Sequence, residues 1–145
     1  MTTETYHIEK DIQVICVTAK SFPDGIQEAF QQLNEVLPEP KDRTNYGLSR
    51  PQGAGIVYKA AAAELYPGEA QALNCSSMQI KKGRYISTVI ENFMDKPQAI
   101  GLAFQKMLEN PGILDPDAYC VEIYFNPEQG CRIRDVRCMI RLKDQ

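Results

Sequence analysis

The run Ile26-Gln27-Glu28-Ala29-Phe30-Gln31 returns 74 residues later as Ile100-Gly101-Leu102-Ala103-Phe104-Gln105. An internal repeat of this kind decides the fold, because each copy is a unit that buries its apolar face against the other. At the same offset Pro23 meets Pro97, Ile12 meets Ile86, Ile15 meets Val89 and Glu35 meets Glu109. Ser21 meets Asp95, both good helix caps two positions before a proline. Asp24 and Gln98 follow three positions after each cap, a loose capping box.

Each half therefore reads alike. A β-rich run comes first, Ile12–Val17 in one half and Tyr85–Ile90 in the other. An amphipathic helix follows, with Ile26, Phe30, Leu33 and Leu37 on one stripe and Ile100, Ala103, Phe104, Met107 and Leu108 on the other. Pro38 and Pro40 stop the first helix, and Asn110-Pro111-Gly112 stops the second. Two more strands close each half. They are expected at about 45–49 and 55–65, and at 119–125 and 136–142 with a hairpin turn over Asn126–Gly130. Lys59-Ala60-Ala61-Ala62-Ala63-Glu64-Leu65 has helix propensity, yet the repeat requires a strand there, and a strand is expected. Residues 66–74 read as a connector, and a strand near Cys75–Ile80 leads to Lys81-Lys82-Gly83. The expected architecture is α+β: a tandem pseudo-twofold repeat of strand-helix-strand-strand, forming an antiparallel sheet with two helices on one side and a ligand cleft at the junction of the halves. The whole chain, 1–145, is expected to be one domain, with repeats at roughly 7–66 and 75–143.

Composition narrows the function. With 16 Lys+Arg against 19 Asp+Glu, the net charge of −3 argues against direct nucleic-acid binding, which runs on phosphate neutralisation. One histidine, His7, excludes paired-imidazole metal sites and most nucleophile–base pairs. Cys16, Cys75, Cys120, Cys131 and Cys138 show no C-x-x-C spacing and are odd in number, so free thiols in a reducing cytoplasm are expected. No membrane span, signal peptide, metal site or cofactor motif is read. Gly53-Ala54-Gly55 lacks the third glycine of a nucleotide loop. Arg132, Arg134, Arg137 and Arg141 are read as a solvated or edge-protecting face, with an anion or partner patch as the alternative.

Alternation over Tyr119–Phe125 puts Val121, Ile123 and Phe125 on one face, assigned to the helix side. Cys120, Glu122 and Tyr124 then share the other. Glu122 is a carboxylate amid apolar and aromatic neighbours, read as an outward solvated residue or as a desolvated pocket carboxylate. The repeat maps Cys120 onto Tyr46, so Tyr46 is expected to point the same way, and Tyr58 and Phe93 are further aromatic candidates.

Tyr46-Gly47, Tyr58-Lys59-Ala60-Ala61, Gly83-Arg84-Tyr85 and Glu122-Ile123-Tyr124, in that order over about 8–142, resemble the GyrI-like small-molecule-binding domain. That domain is the effector-binding part of many AraC- and MerR-type transcription regulators and also occurs alone. The resemblance implies an aromatic-lined pocket in which Glu122 anchors a cationic or polar ligand, with Tyr124, Tyr58, Tyr46 and Phe93 as walls. It implies a stand-alone binding or sensing module for a lipophilic or cationic compound. The alternatives it carries are a hydrolase of cyclopropane-containing toxins, with Glu122 as general base, and a gyrase-inhibitor-like role with a protein partner. The chain has no tryptophan, where many members carry one, and has Glu91-Asn92 where a glycine is common. An enzyme is the less favoured reading.

Overall fold

A computed structural model describes residues 2–124 and 135–145. Eight antiparallel strands form one sheet: β1 (Glu4–Ile8), β2 (Ile12–Thr18), β3 (Asn45–Gln52), β4 (Gly55–Ala63), β5 (Ser76–Ile80), β6 (Gly83–Ile90), β7 (Cys120–Tyr124) and β8 (Val136–Arg141). Their order is β1-β6-β8-β7-β3-β4-β2-β5. Exchanging β1 with β5, β2 with β6, β3 with β7 and β4 with β8 reverses this order onto itself, so the two halves meet along the β3–β7 ladder. The fold is α+β, with helices α1 (Ile26–Val36) and α3 (Ala99–Met107) and a short connector helix α2 (Glu69–Ala72).

Register places the layers. Ala60, Gly47, Glu122 and Cys138 lie side by side across β4, β3, β7 and β8, so they share a face. On that face α1 packs on β2 and β4, and α3 packs on β6 and β8. Ala29, Leu33 and Leu37 meet Ile15, Ala60 and Ala62 under α1. Ala103, Phe104 and Met107 meet Val136, Cys138 and Ile140 under α3. The alanine run is thereby explained: Ala60 and Ala62 are short enough for a helix to lie close against the strand, and burial on both faces outweighs helix propensity.

The face away from the helices carries a second core, where Tyr46, Leu48, Val121, Ile123 and Met139 pack with Ile8, Ile80 and Tyr85 from the outer strands. Three points differ from the sequence reading. Cys120, Glu122 and Tyr124 face the helices, and Val121 and Ile123 face away from them, the reverse of the expected assignment. Hydrophobic alternation cannot tell two buried faces apart. The helices start later than Ser21 and Asp95 suggest; Gly25 and Gln98 precede them, with no side-chain cap bond, and the Ser21 carbonyl instead accepts from the Gly25 N–H. Finally, β1 was not expected, because a strand with mostly exposed side chains has no apolar pattern to betray it.

Phe125, the Asn126–Gly130 turn, Cys131, Arg132 and Arg134 lie outside the described residues. The remaining arginines of that cluster are spoken for. Arg137 pairs with Glu4, bonds Ser87 and stacks over the Tyr6 ring, and Arg141 pairs with Asp115 and Asp144. Their strand β8 is interior to the sheet, so edge protection is not their role. Cys16, Cys75, Cys120 and Cys138 are free thiols.

Candidate functional site

α1 stands over β2 and β4 and α3 over β6 and β8, and between them the β3–β7 ladder floors a cleft of about 660 Å³, within the usual range for small-molecule sites. Ile26 of α1, Ile100 and Phe104 of α3, and Cys120, Glu122 and Tyr124 of β7 are among its walls. Exposed apolar side chains, Phe22, Ile56 and Leu102, stand at its mouth.

Among the described residues lining this cleft the charged types are Glu122 and Arg50; Glu122 is buried, 5% exposed, while the Arg50 guanidinium stacks over the Tyr119 ring. Tyr124 donates its hydroxyl hydrogen to Glu122 Oε1. Tyr58, itself 1% exposed, donates to the same oxygen from 3.1 Å. Among the described residues no cation pairs with Glu122. Burial pushes its carboxyl up, and the two tyrosine hydrogen bonds pull it part of the way back. Burial, and then the neighbouring carboxylate, pushes both tyrosine hydroxyls well above their ordinary value and lifts the Cys120 thiol to about 11. These three groups are neutral donors at neutral pH.

An aromatic shell surrounds the carboxylate–tyrosine cluster. The Tyr124 ring meets Phe93 edge-on at 5.5 Å and Phe30 at 5.9 Å. The Tyr58 ring meets Phe30 at 6.3 Å and Phe22 at 5.9 Å. Ring faces and edges at such spacing hold one another in place.

The structure thus brings Glu122, Tyr124, Tyr58 and Phe93 together. It does not bring Tyr46. Tyr46 lies opposite Ile123 in the β3–β7 register, while Gly47 lies opposite Glu122, so the Tyr46 side chain enters the second core on the far face. The 74-residue offset holds on the helices, but a one-residue slip in the loops that follow inverts every side chain on the strand. Three contributors escaped the sequence reading. Phe30 looked like an ordinary core position of the α1 stripe, and Phe22 stands outside any periodic element. Gly47 carried a usable signal, since an isolated glycine inside a strand marks close approach of another group.

The register separates the tyrosines experimentally. Tyr124→Phe removes a hydrogen bond that favours the ionised Glu122, so the Glu122 carboxyl is expected to titrate higher still, followed by carbon NMR of the labelled side chain. Tyr46→Phe, on the other face, is expected to leave that titration in place. An equal shift from both substitutions would contradict the assignment of faces.

No family model and no curated protein matches the sequence. Solved structures do share the fold. The protein SAV2435 bound to tetraphenylphosphonium is 10% identical, with 99% of this chain and 94% of that one covered at a TM-score of 0.61. The C-terminal domain of EcmrR is 11% identical, with 99% and 98% covered at 0.65. A hydrolase from Listeria innocua is 9% identical, with 97% and 91% covered at 0.61.

Proposed function

We propose that this chain is a regulator-related small-molecule-binding domain of the GyrI-like kind, and that its ligand is a lipophilic cation with delocalised charge. The observation that carries this reading is Glu122, a buried carboxylate without a counter-charge among the described residues, floored in an aromatic-walled cleft. A desolvated carboxylate is unfavourable alone and is relieved by a cation whose own desolvation is cheap. A large cation with spread charge meets that condition, and the tyrosine and phenylalanine rings add attraction for it. The likeness to a protein bound to tetraphenylphosphonium and to the C-terminal domain of EcmrR supports the same reading. Glu122 is the anchor, Tyr124, Phe22 and Phe104 line the cleft beside it, and Tyr58, Phe93 and Phe30 back those rings and the carboxylate. The ligand is taken up in the cytoplasm, without contact between this chain and nucleic acid.

The test is a titration with tetraphenylphosphonium, followed calorimetrically, on wild type and Glu122→Gln. Glutamine keeps the shape and the acceptor for both tyrosines but removes the charge. The affinity is expected to fall at least about 30-fold, the ratio that ~2 kcal/mol carries. Equal affinity in the two proteins would dismiss Glu122 as the anchor.

A second reading has one specific support, the fold shared with a protein described as a hydrolase. In it Glu122 serves as general base and a tyrosine hydroxyl as acid toward a strained electrophilic substrate such as a cyclopropane-bearing toxin. Product formation in the same titration series, lost in Glu122→Gln, would favour it.

A further inference from the structure

The two tyrosine hydrogen bonds fall on one oxygen of Glu122. Tyr58 and Tyr124 both donate to Oε1. Among the described residues no hydrogen bond or ion pair reaches Oε2. An oxygen that already accepts two hydrogens is a poor place for a third. The other oxygen is left with unused acceptor capacity, on a side chain that lines the cleft. We propose that the empty cleft holds Glu122 as the neutral acid, with its proton on Oε2, and that ligand capture is an exchange in which a cation enters as that proton leaves.

This rests on the binding reading above and adds its energetics. Among the described residues the groups facing Glu122 from each packed element contain no base and no cation; Arg50, at the lining of the same cleft, turns its guanidinium over the Tyr119 ring instead. The facing groups are Cys120 and Tyr124 on β7, Tyr58 on β4 and Cys138 on β8, with Gly47 and Ser49 on β3 and Phe30 on α1. Each titratable member is a neutral acid at neutral pH; burial lifts the Cys138 thiol as it lifts the others. With no described cation to share the charge, the buried carboxyl lowers its free energy by taking a proton. Burial does push it upward. The exchange balances simply. The Oε2–H bond breaks, the electron pair stays on the carboxylate, the proton passes to solvent and the cation supplies the compensating charge. The arrangement also selects the ligand: a neutral apolar molecule cannot displace the proton, so it gains nothing from Glu122.

Tetraphenylphosphonium is the right probe, because it is permanently charged and has no proton of its own to lose. Binding to wild type is measured from about pH 5 to 8, in buffers of different ionisation enthalpy. Below the titration of the empty-cleft carboxyl, about one proton is expected to leave per cation bound, and Kd is expected to fall about tenfold per unit rise in pH. Infrared difference spectra should show loss of a protonated carboxyl stretch on binding, absent in Glu122→Gln. Binding that depends on Glu122 but shows neither proton release nor pH dependence across the window would overturn the exchange and leave the binding reading standing. No binding to wild type at any pH would overturn both.

Discussion

Arg43→Ala is expected to cost about 3–5 kcal/mol of folding free energy, a large share of the ~5–15 that a domain possesses. Arg43 is 1% exposed and its guanidinium is used in full. Nε and Nη2 donate to the Pro38 carbonyl just past α1. Nη1 donates to the Ala63 carbonyl at the end of β4 and to Glu69 Oε1 at 2.6 Å, and Nη2 meets Glu69 Oε2 at 2.5 Å. Glu69, also 1% exposed, opens the connector helix α2 and accepts the Leu65 N–H as well. One side chain thus ties the end of α1, the end of β4 and the connector between the halves. Its removal leaves a buried carboxylate with the Leu65 N–H as its one remaining described donor and takes the Arg43 hydrogen bonds from two carbonyls, and the cost is mainly theirs. Lysine is expected to rescue little, because a point charge cannot fork onto a carboxylate and a carbonyl together.

The sign of the pH dependence follows from the pair. The Arg43 hydrogen bonds hold the Glu69 carboxyl below the usual carboxylate range, against the opposing effect of burial. The stabilisation is therefore present in full above an ordinary carboxylate value of ~4.3 and is lost as pH falls through the depressed one. Urea unfolding of wild type and Arg43→Ala at neutral pH, with the slopes compared, reads the cost. A loss under about 1 kcal/mol would put the pair in the class of solvent-exposed bridges and refute the argument.

Arg43 and Glu69 also mark a limit of reading by pattern. Nothing in their spacing announces a buried pair, because it is made by a chain reversal across 26 residues. The strands and helices were more legible, since Ile15, Leu33 and Phe104 repeat at the period of the element that buries them. The Ala60–Ala63 strand could be placed only by the repeat, against its own propensity. Glu122 was legible for the opposite reason, as a carboxylate that its apolar neighbours do not explain. Which face it occupied was not legible. β7 is buried on both sides, by helices on one and by the second core on the other, and alternation then gives two faces without naming them. Tyr46 was lost to the same ambiguity. A repeat offset measured on helices is no guide on a strand, where a single residue of slip exchanges the faces.

Gly47→Ala is expected to destabilise the domain by about 1–3 kcal/mol and to weaken cation binding about tenfold or more. Gly47 lies between Ala60 and Glu122 in the ladder, and the Tyr58 and Glu122 side chains close over it. A Cβ built there would overlap the Tyr58 hydroxyl oxygen and stand 2.8 Å from its Cζ and 2.7 Å from Glu122 Oε1. These are not flexible ends free to swing. Tyr58 is fully enclosed, with Phe22 and Phe30 against its ring, and Glu122 is held by two hydroxyls. A methyl group therefore has to part the hydrogen-bonded pair that crosses β3. Glycine is required here for the space above it, which lets a tyrosine from one half reach a carboxylate from the other. Because the clash is with the hydroxyl first, Tyr58→Phe should relieve part of it. The cost of Gly47→Ala is expected to be smaller in the Tyr58→Phe background, a coupling that a double-mutant cycle in urea would measure. Additive costs would mean that the methyl group is accommodated elsewhere, and the crossing of Tyr58 to Glu122 would then not depend on the missing side chain at Gly47.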